Sequence, residues 1–199
     1  MPRTLEAFQK IRDTRREQIV KAALRVFARK GYAATKITDI AATAEISHGL
    51  VNHYFASKED LYGAIVEDTL EGALRVASES LERSGSAWER LEWLCQNMLD
   101  GIRETPEYSL VMAQVGITEG LPAQIKAFYD DYSTLIQQKF TLLIEQGQQE
   151  GAVTAGDPIQ LALLLTATIS GLSLSAISPH GSINPIPTNP HIVLRMLKV

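Results

Sequence analysis

Apolar residues recur at three- and four-residue intervals along nearly the whole chain, and no run alternates in the two-residue rhythm of a half-buried strand. A helix gathers residues at that spacing onto one face, so the pattern predicts an all-α fold of about nine helices. At 199 residues and 45% apolar content, the chain can bury a core of ordinary density and is long enough for a small module joined to a larger body.

Breaks in the pattern place the elements. The first helix is expected over residues 13–30, with Ile19, Ala22, Ala23, Val26 and Phe27 as its apolar stripe, Arg15, Arg16, Arg25 and Arg29 off it, and Gly31 as its stop. Two short helices follow, at 37–44 and 48–55, separated by only Glu45, Ile46 and Ser47, with Ser47 capping the second. Ser57 is placed to cap a long helix over 58–81. A helix bearing Trp88, Leu91, Trp93, Leu94, Met98 and Ile102 is closed by Pro106, and a shorter one spans 108–119. Gly120-Leu121-Pro122 opens a long helix ending near Gly151, and Asp157-Pro158 starts an apolar one. Residues 178–189 form a proline-containing loop before a terminal helix at 191–198.

The net charge of −4 hides an asymmetry. Residues 1–62 carry eleven Lys and Arg against seven Asp and Glu, whereas the remainder carries eight against sixteen. A basic segment on an acidic chain is what results when only that segment faces phosphates. Cys95 is the one cysteine, so it forms neither an intramolecular disulfide nor a thiolate zinc site. Residues 1–30 lack the order of a signal peptide, and a cytoplasmic protein is expected. Residues 159–177 carry no charge, yet they include Gln160, Thr166, Thr168, Ser170, Ser173 and Ser175 and no flanking basic cluster. They are read as a buried helix at a dimer core, not a membrane span. Nucleophile elbows, phosphate loops, dinucleotide fingerprints and His-Glu-x-x-His are missing, so no enzyme, cofactor or metal is expected. His48 and His53 have no carboxylate or thiol companion at ligand spacing.

Residues 37–55 supply the parts of a helix-turn-helix: a bracing helix, a tight turn and a second helix free to enter a groove about 12 Å wide. Ile40, Ala41, Ala44, Ile46 and Val51 have the spacing of a small core, with alanines where two helices approach closely. That leaves His48, Leu50, Asn52, His53 and Tyr54 outward, a set in which Asn and His suit base edges and Tyr suits phosphate.

The runs Gly31-Tyr32-Ala33-Ala34-Thr35, Thr38-Asp39-Ile40-Ala41, Ile46-Ser47-His48-Gly49 and His53-Tyr54-Phe55-Ala56-Ser57-Lys58-Glu59-Asp60-Leu61 resemble the N-terminal domain of TetR-type transcriptional regulators. The resemblance covers about residues 12–65; beyond it only helix lengths and total size are similar to that family. The run His48 to Phe55 is also somewhat similar to the recognition helix of its choline-responsive branch. The resemblance implies a DNA-binding domain over residues 1–60 and a ligand-binding and dimerisation domain over 61–199. It implies that Thr38 reaches DNA with Lys36 beside it, that His48, Gly49, Leu50, Asn52 and His53 occupy groove-facing positions, and that Ser47 belongs to the DNA-binding set. Tyr54 and Lys58 match positions that hold the phosphate backbone. Lys36 stands where a small hydroxyl cap is usual, Asn52 where a Tyr is common and Tyr54 where His is frequent, departures that bear on the operator sequence.

The partners implied are a double-stranded, near-palindromic DNA operator, a small-molecule effector and a second copy of the chain. Trp93, Met98, Tyr108, Met112, Phe128 and Tyr132 are candidates for lining the effector cavity, and residues 158–178 with 190–198 for forming the dimer interface. The function expected is a repressor released from DNA by its effector. A ligand-dependent activator of the same family, and a small helical binding protein or enzyme that does not use DNA, are the alternatives.

Overall fold

The computed structural model describes residues 5–176 and 186–199. Among these the elements are α1 (Leu5–Ala34), α2 (Ile37–Thr43), α3 (His48–Tyr54), α4 (Lys58–Glu82), α5 (Ala87–Glu104), α6 (Pro106–Ile117), α7 (Ala123–Gln149), α8 (Pro158–Ala176) and α9 (Pro190–Leu194), followed by a 3-10 turn, Arg195–Leu197. The one extended pairing among the described residues is an isolated bridge between Val153 and Lys198, so the fold is all-α.

Local chemistry sets the helix starts. Ser47 Oγ accepts from the Leu50 N–H at 3.2 Å and Ser57 Oγ from the Asp60 N–H at 3.0 Å, each satisfying a donor that the first helical turn leaves unpaired. Ser86 and Glu89 form a reciprocal capping box at α5. Pro106 does more than close α5: it occupies the first turn of α6, where its missing N–H costs nothing. α1 begins at Leu5 and not at residue 13. Asp13 has the residue type of a cap but no glycine or proline precedes it within the helix, and the helix runs through it. At Gly31 the backbone turns to φ 73, ψ 168 and interrupts α1, as the glycine predicts.

Two cores result. The first joins α1, α2, α3 and the front of α4 to α6, through Phe27, Ile40, Val51, Tyr62, Ile65 and Val111, all buried. It extends past residue 60, because α4 continues from the N-terminal head into the body. The second joins α5, α7, α8 and α9 through residues such as Leu94, Leu99, Leu143 and Leu165. Cys95 lies fully buried in it, and burial pushes its thiol up to about 12, so the side chain behaves as a small apolar one.

The terminal segment is shorter than the helix expected over 191–198, and its Val193, Leu194 and Leu197 are buried in this second core. α8 is the opposite case. Only 22% of its apolar stretch, of mean hydropathy 1.6, is buried within the chain, and Ile159, Leu163, Leu164 and Leu174 are exposed. Leu135 and Leu142 of α7 are exposed as well. Residues 177 and 178 of the expected dimer helix, and most of the loop over 178–189, lie outside the described residues.

Gly147 is where the chain folds back after α7: the N–H groups of Ala152 and Val153 both donate to its carbonyl, at 2.9 and 3.0 Å. A Cβ on residue 147 would stand 2.4 Å from Val153 Cγ2. Gly147→Ala is therefore expected to lower stability by about 1–3 kcal/mol in urea unfolding. Combined with Val153→Ala it should cost clearly less than the sum of the two single changes, since the clashing methyl is gone.

Candidate functional site

The head is assembled around the apolar face of α1. Ile40 of α2, Val51 of α3 and Phe55 at its end are all buried with Ile19, Ala23 and Phe27 of α1. A polar tie adds to this packing: Gln18 of α1 donates through Nε2 to the carbonyl of Ala44 at 2.7 Å, fixing the end of α2. The turn between α2 and α3 is closed by the Ile46 N–H to Ala41 carbonyl bond at 3.0 Å, with Glu45 in the left-handed region at φ 55. At the front of α2 the Asp39 carboxylate accepts from the Lys36 N–H at 3.1 Å and pairs with Lys30 Nζ at 3.0 Å. The Lys30 ammonium holds that carboxyl below its usual range.

So braced, α3 leaves His48, Gly49, Asn52 and His53 exposed, four positions that share one helical face. Asn52 Nδ2 sits 3.4 Å from His48 Nδ1, one turn away, and the His53 and Tyr54 rings meet edge to face at 5.3 Å. Leu50 and Tyr54 are half-buried, and Ser47 spends its hydroxyl oxygen on the cap. Nothing lies within 4 Å of where a Gly49 Cβ would stand, so the face is open there. Thr38 and Lys36 are exposed at the start of α2.

Lys58 is more tightly held than a free surface lysine. Its Nζ donates to the Tyr32 carbonyl at 3.0 Å and lies 4.3 Å from the centre of the Tyr32 ring. An ammonium has three donors, so this anchoring fixes the charge in place while leaving donors for a second acceptor. Next to it the Tyr32 hydroxyl donates to Glu59 at 2.7 Å; burial and this contact push the phenol far above its ordinary range. Asp60 accepts from the Ala56 N–H at 2.9 Å. The N-terminus of α4 thus already holds two carboxylates, and any pull on a phosphate there comes from Lys58.

A second feature lies in the body. A cavity of about 470 Å³, open to solvent on one side, is lined by residues of α4, α5, α6, α7 and α8. Of the six aromatic and methionine candidates for its lining, Met98 and Tyr108 are there. Trp93 lies under the Arg83 guanidinium at 4.4 Å on the outer side of α5. Phe128 and Tyr132 stack on each other at 4.1 Å and, like Met112, pack against the first core. The walls come instead from Ile102, Ile136, Phe140 and Ile169, and the polar groups from Asp68, Arg75, Asn97 and Thr166. Residue type alone singles out large side chains and passes over these; the available signal was Asp68, Gly72 and Arg75 on one face of a long helix. Among the described residues no group of three His, Cys, Asp or Glu is placed to hold a metal ion.

Residues 19–65, the segment that builds this head, match the model of the tetR family of bacterial regulatory proteins. The head is that of a TetR-type transcriptional regulator. The chain is 26% identical over 149 residues to the HTH-type transcriptional regulator YfiR of Bacillus subtilis, covering 74% of this chain and 72% of that one. To the HTH-type transcriptional repressor Rv3405c of Mycobacterium tuberculosis it is 47% identical, over 49 residues that are 25% of this chain and 26% of the other. The MbdR regulator of Azoarcus sp. CIB shares the fold, with a TM-score of 0.80 at 23% identity over 92% of this chain and 98% of that structure.

A non-glycine residue in the left-handed region costs about 1–2 kcal/mol, and a glycine there loses about 0.5–1 kcal/mol more chain entropy on folding. Glu45→Gly is therefore expected to raise stability by up to about 1 kcal/mol in thermal or urea unfolding. A loss of stability would show that the Glu45 side chain holds the turn by contacts outweighing its backbone strain.

Proposed function

We propose that the protein is a dimeric, effector-released repressor. α3 enters the major groove, with His48, Asn52 and His53 reading base edges and Gly49 and Leu50 allowing close approach. Lys36, Thr38, Tyr54 and Lys58 contact the phosphate backbone, and Ser47 acts by capping α3. The observation that carries this reading is the exposed polar face of α3 on a braced three-helix head. The repressor sense is supported by the relative Rv3405c, which is named a repressor.

The exposed apolar residues of α8 and α7 are what a second copy would cover. Leu163, Leu164 and Leu174 alternate on α8 with Ala167, Ser170 and Gly171, which permit close helix approach. The expected pairing through 158–178 and 190–198 is extended by the exposed Leu135 and Leu142 of α7, while α9 adds Ile192, its Val193 and Leu194 being buried. The two reading helices of such a dimer face a near-palindromic operator.

The cavity is the effector site. α4 lines it and also begins directly after α3; α6 lines it through Tyr108 and holds α1 through Gln114 Nε2, which donates to the Ala28 carbonyl at 3.0 Å. A ligand that favours one arrangement of α4 and α6 changes the spacing of the two heads, and DNA affinity falls by its preference for that state.

Selection from a random duplex pool should yield a palindrome bound at least about a thousandfold more tightly than scrambled DNA. Against these two sequences Lys58→Ala is expected to weaken binding about equally. Asn52→Ala should cost about 1–3 kcal/mol on the palindrome alone. Equal losses on both for Asn52→Ala would remove it from the base readers. Leu163→Glu places an unpaired charge on the α8 face and is expected to weaken self-association by at least about 3 kcal/mol, seen as monomers in sedimentation. A persisting dimer would locate the interface elsewhere.

A further inference from the structure

The polar groups of the cavity are arranged for a particular ligand chemistry, given the reading of that cavity as the effector site. Asp68 and Arg75 are seven positions apart on α4, hence on the same face and about two turns from each other. Both line the cavity and both are exposed at its mouth. Gly72 lies between them, and Arg75 Nη2 comes within 3.8 Å of where a Gly72 Cβ would stand, so the guanidinium lies back along α4 over the opening. On the opposite wall Tyr108 faces Asp68, whose charge adds to burial in pushing the phenol up.

Neither charge is paired with another among the described residues. The ion pairs among the described residues are Lys30–Asp39, Arg90–Glu150, Arg103–Asp100 and His191–Glu92, and neither Asp68 nor Arg75 belongs to any of them. Nor do the two form an ion pair with each other. Behind them the cavity is apolar, with Ile102, Phe140 and Ile169 in its wall. A simple acid would meet Arg75 but lie beside the Asp68 carboxylate, and a simple amine would meet Asp68 but lie beside the guanidinium. A ligand carrying both charges neutralises both.

We propose that the effector is a zwitterion on an apolar body, its ammonium held by Asp68 beside Tyr108, its carboxylate by Arg75, and its apolar part against Ile102, Phe140 and Ile169. Calorimetry on the intact protein tests this with two zwitterions of different reach, 8-aminooctanoate and leucyl-phenylalanine. Each is compared with a relative lacking the ammonium (octanoate; the N-acetyl dipeptide) and one lacking the carboxylate (octylamine; the dipeptide amide). At least one zwitterion should bind about tenfold more tightly than either of its relatives, the worth of one charge-assisted contact at a partly exposed site. Asp68→Asn should abolish the advantage over the relative without ammonium, and Arg75→Gln the advantage over the relative without carboxylate. Binding of none of the six probes, equal binding within both sets, or a zwitterion indifferent to both substitutions overturns the proposal. The same probes added to the operator complex separate this outcome from the fate of the effector reading. A zwitterion that binds with the expected charge dependence but leaves DNA bound sinks the effector role and keeps the ligand class. Release of DNA by the plain acid or amine does the reverse.

Discussion

The packing of Tyr62 against Phe27, edge to face at 4.7 Å, with Tyr32 tilted against Tyr62 at 4.9 Å, ties α4 to α1 and so the body to the head. All three rings are buried. Tyr32 then clamps the first turn of α4 twice more, through its hydroxyl to Glu59 and through its carbonyl and ring to Lys58. The cluster has one weak point. The Tyr62 hydroxyl is buried without a hydrogen-bond partner among the described residues, and burial pushes it up to about 12. An unsatisfied hydroxyl costs about 1–3 kcal/mol, which buried aromatic surface of this extent can offset.

That junction makes the remainder of the molecule intelligible. α4 is one helix from the DNA-reading head to the far end of the cavity, with Tyr62 and Ile65 in the first core and Ala77 in the second. α6 is a parallel connection, with Tyr108 at the cavity and Val111, Gln114 and Val115 against the head. In the mechanism we propose, a change at the cavity shifts whole helices, because close-packed interiors do not absorb it locally.

The fold was largely legible in the chain because its elements are declared by local chemistry. Caps at Ser47 and Ser57, the stop at Gly31 and Pro158 in the first turn of α8 act within a few residues, and the boundaries of α2, α3 and α4 fall within about a residue of those expected. Exposure on α3 was partly legible for the same reason: with Val51 turned inward, His48, Asn52 and His53 are outward as expected, whereas Leu50 and Tyr54 are half-buried. The cavity was not. Trp93, Met112, Phe128 and Tyr132 have the size and polarity of lining residues, but whether a large side chain fills a core or borders a void depends on the crossing of helices far apart in sequence. α9 is divided in the same way, with Val193 and Leu194 buried in the second core and Ile192 exposed.

By itself the sequence determined an all-α chain, a basic three-helix head with an exposed polar face on its third helix, and an apolar α8. Each of these rests on interactions spanning a few residues or on periodicity along one helix. Only the tertiary structure decided that α4 and α6 both bridge the cavity and the head, that Asp68 and Arg75 share the mouth of that cavity with no ion pair among the described residues, and that α7 and α8 carry outward apolar side chains. Those facts depend on which helix faces lie opposite one another, and a helix's own residues specify its face but not the neighbour that covers it.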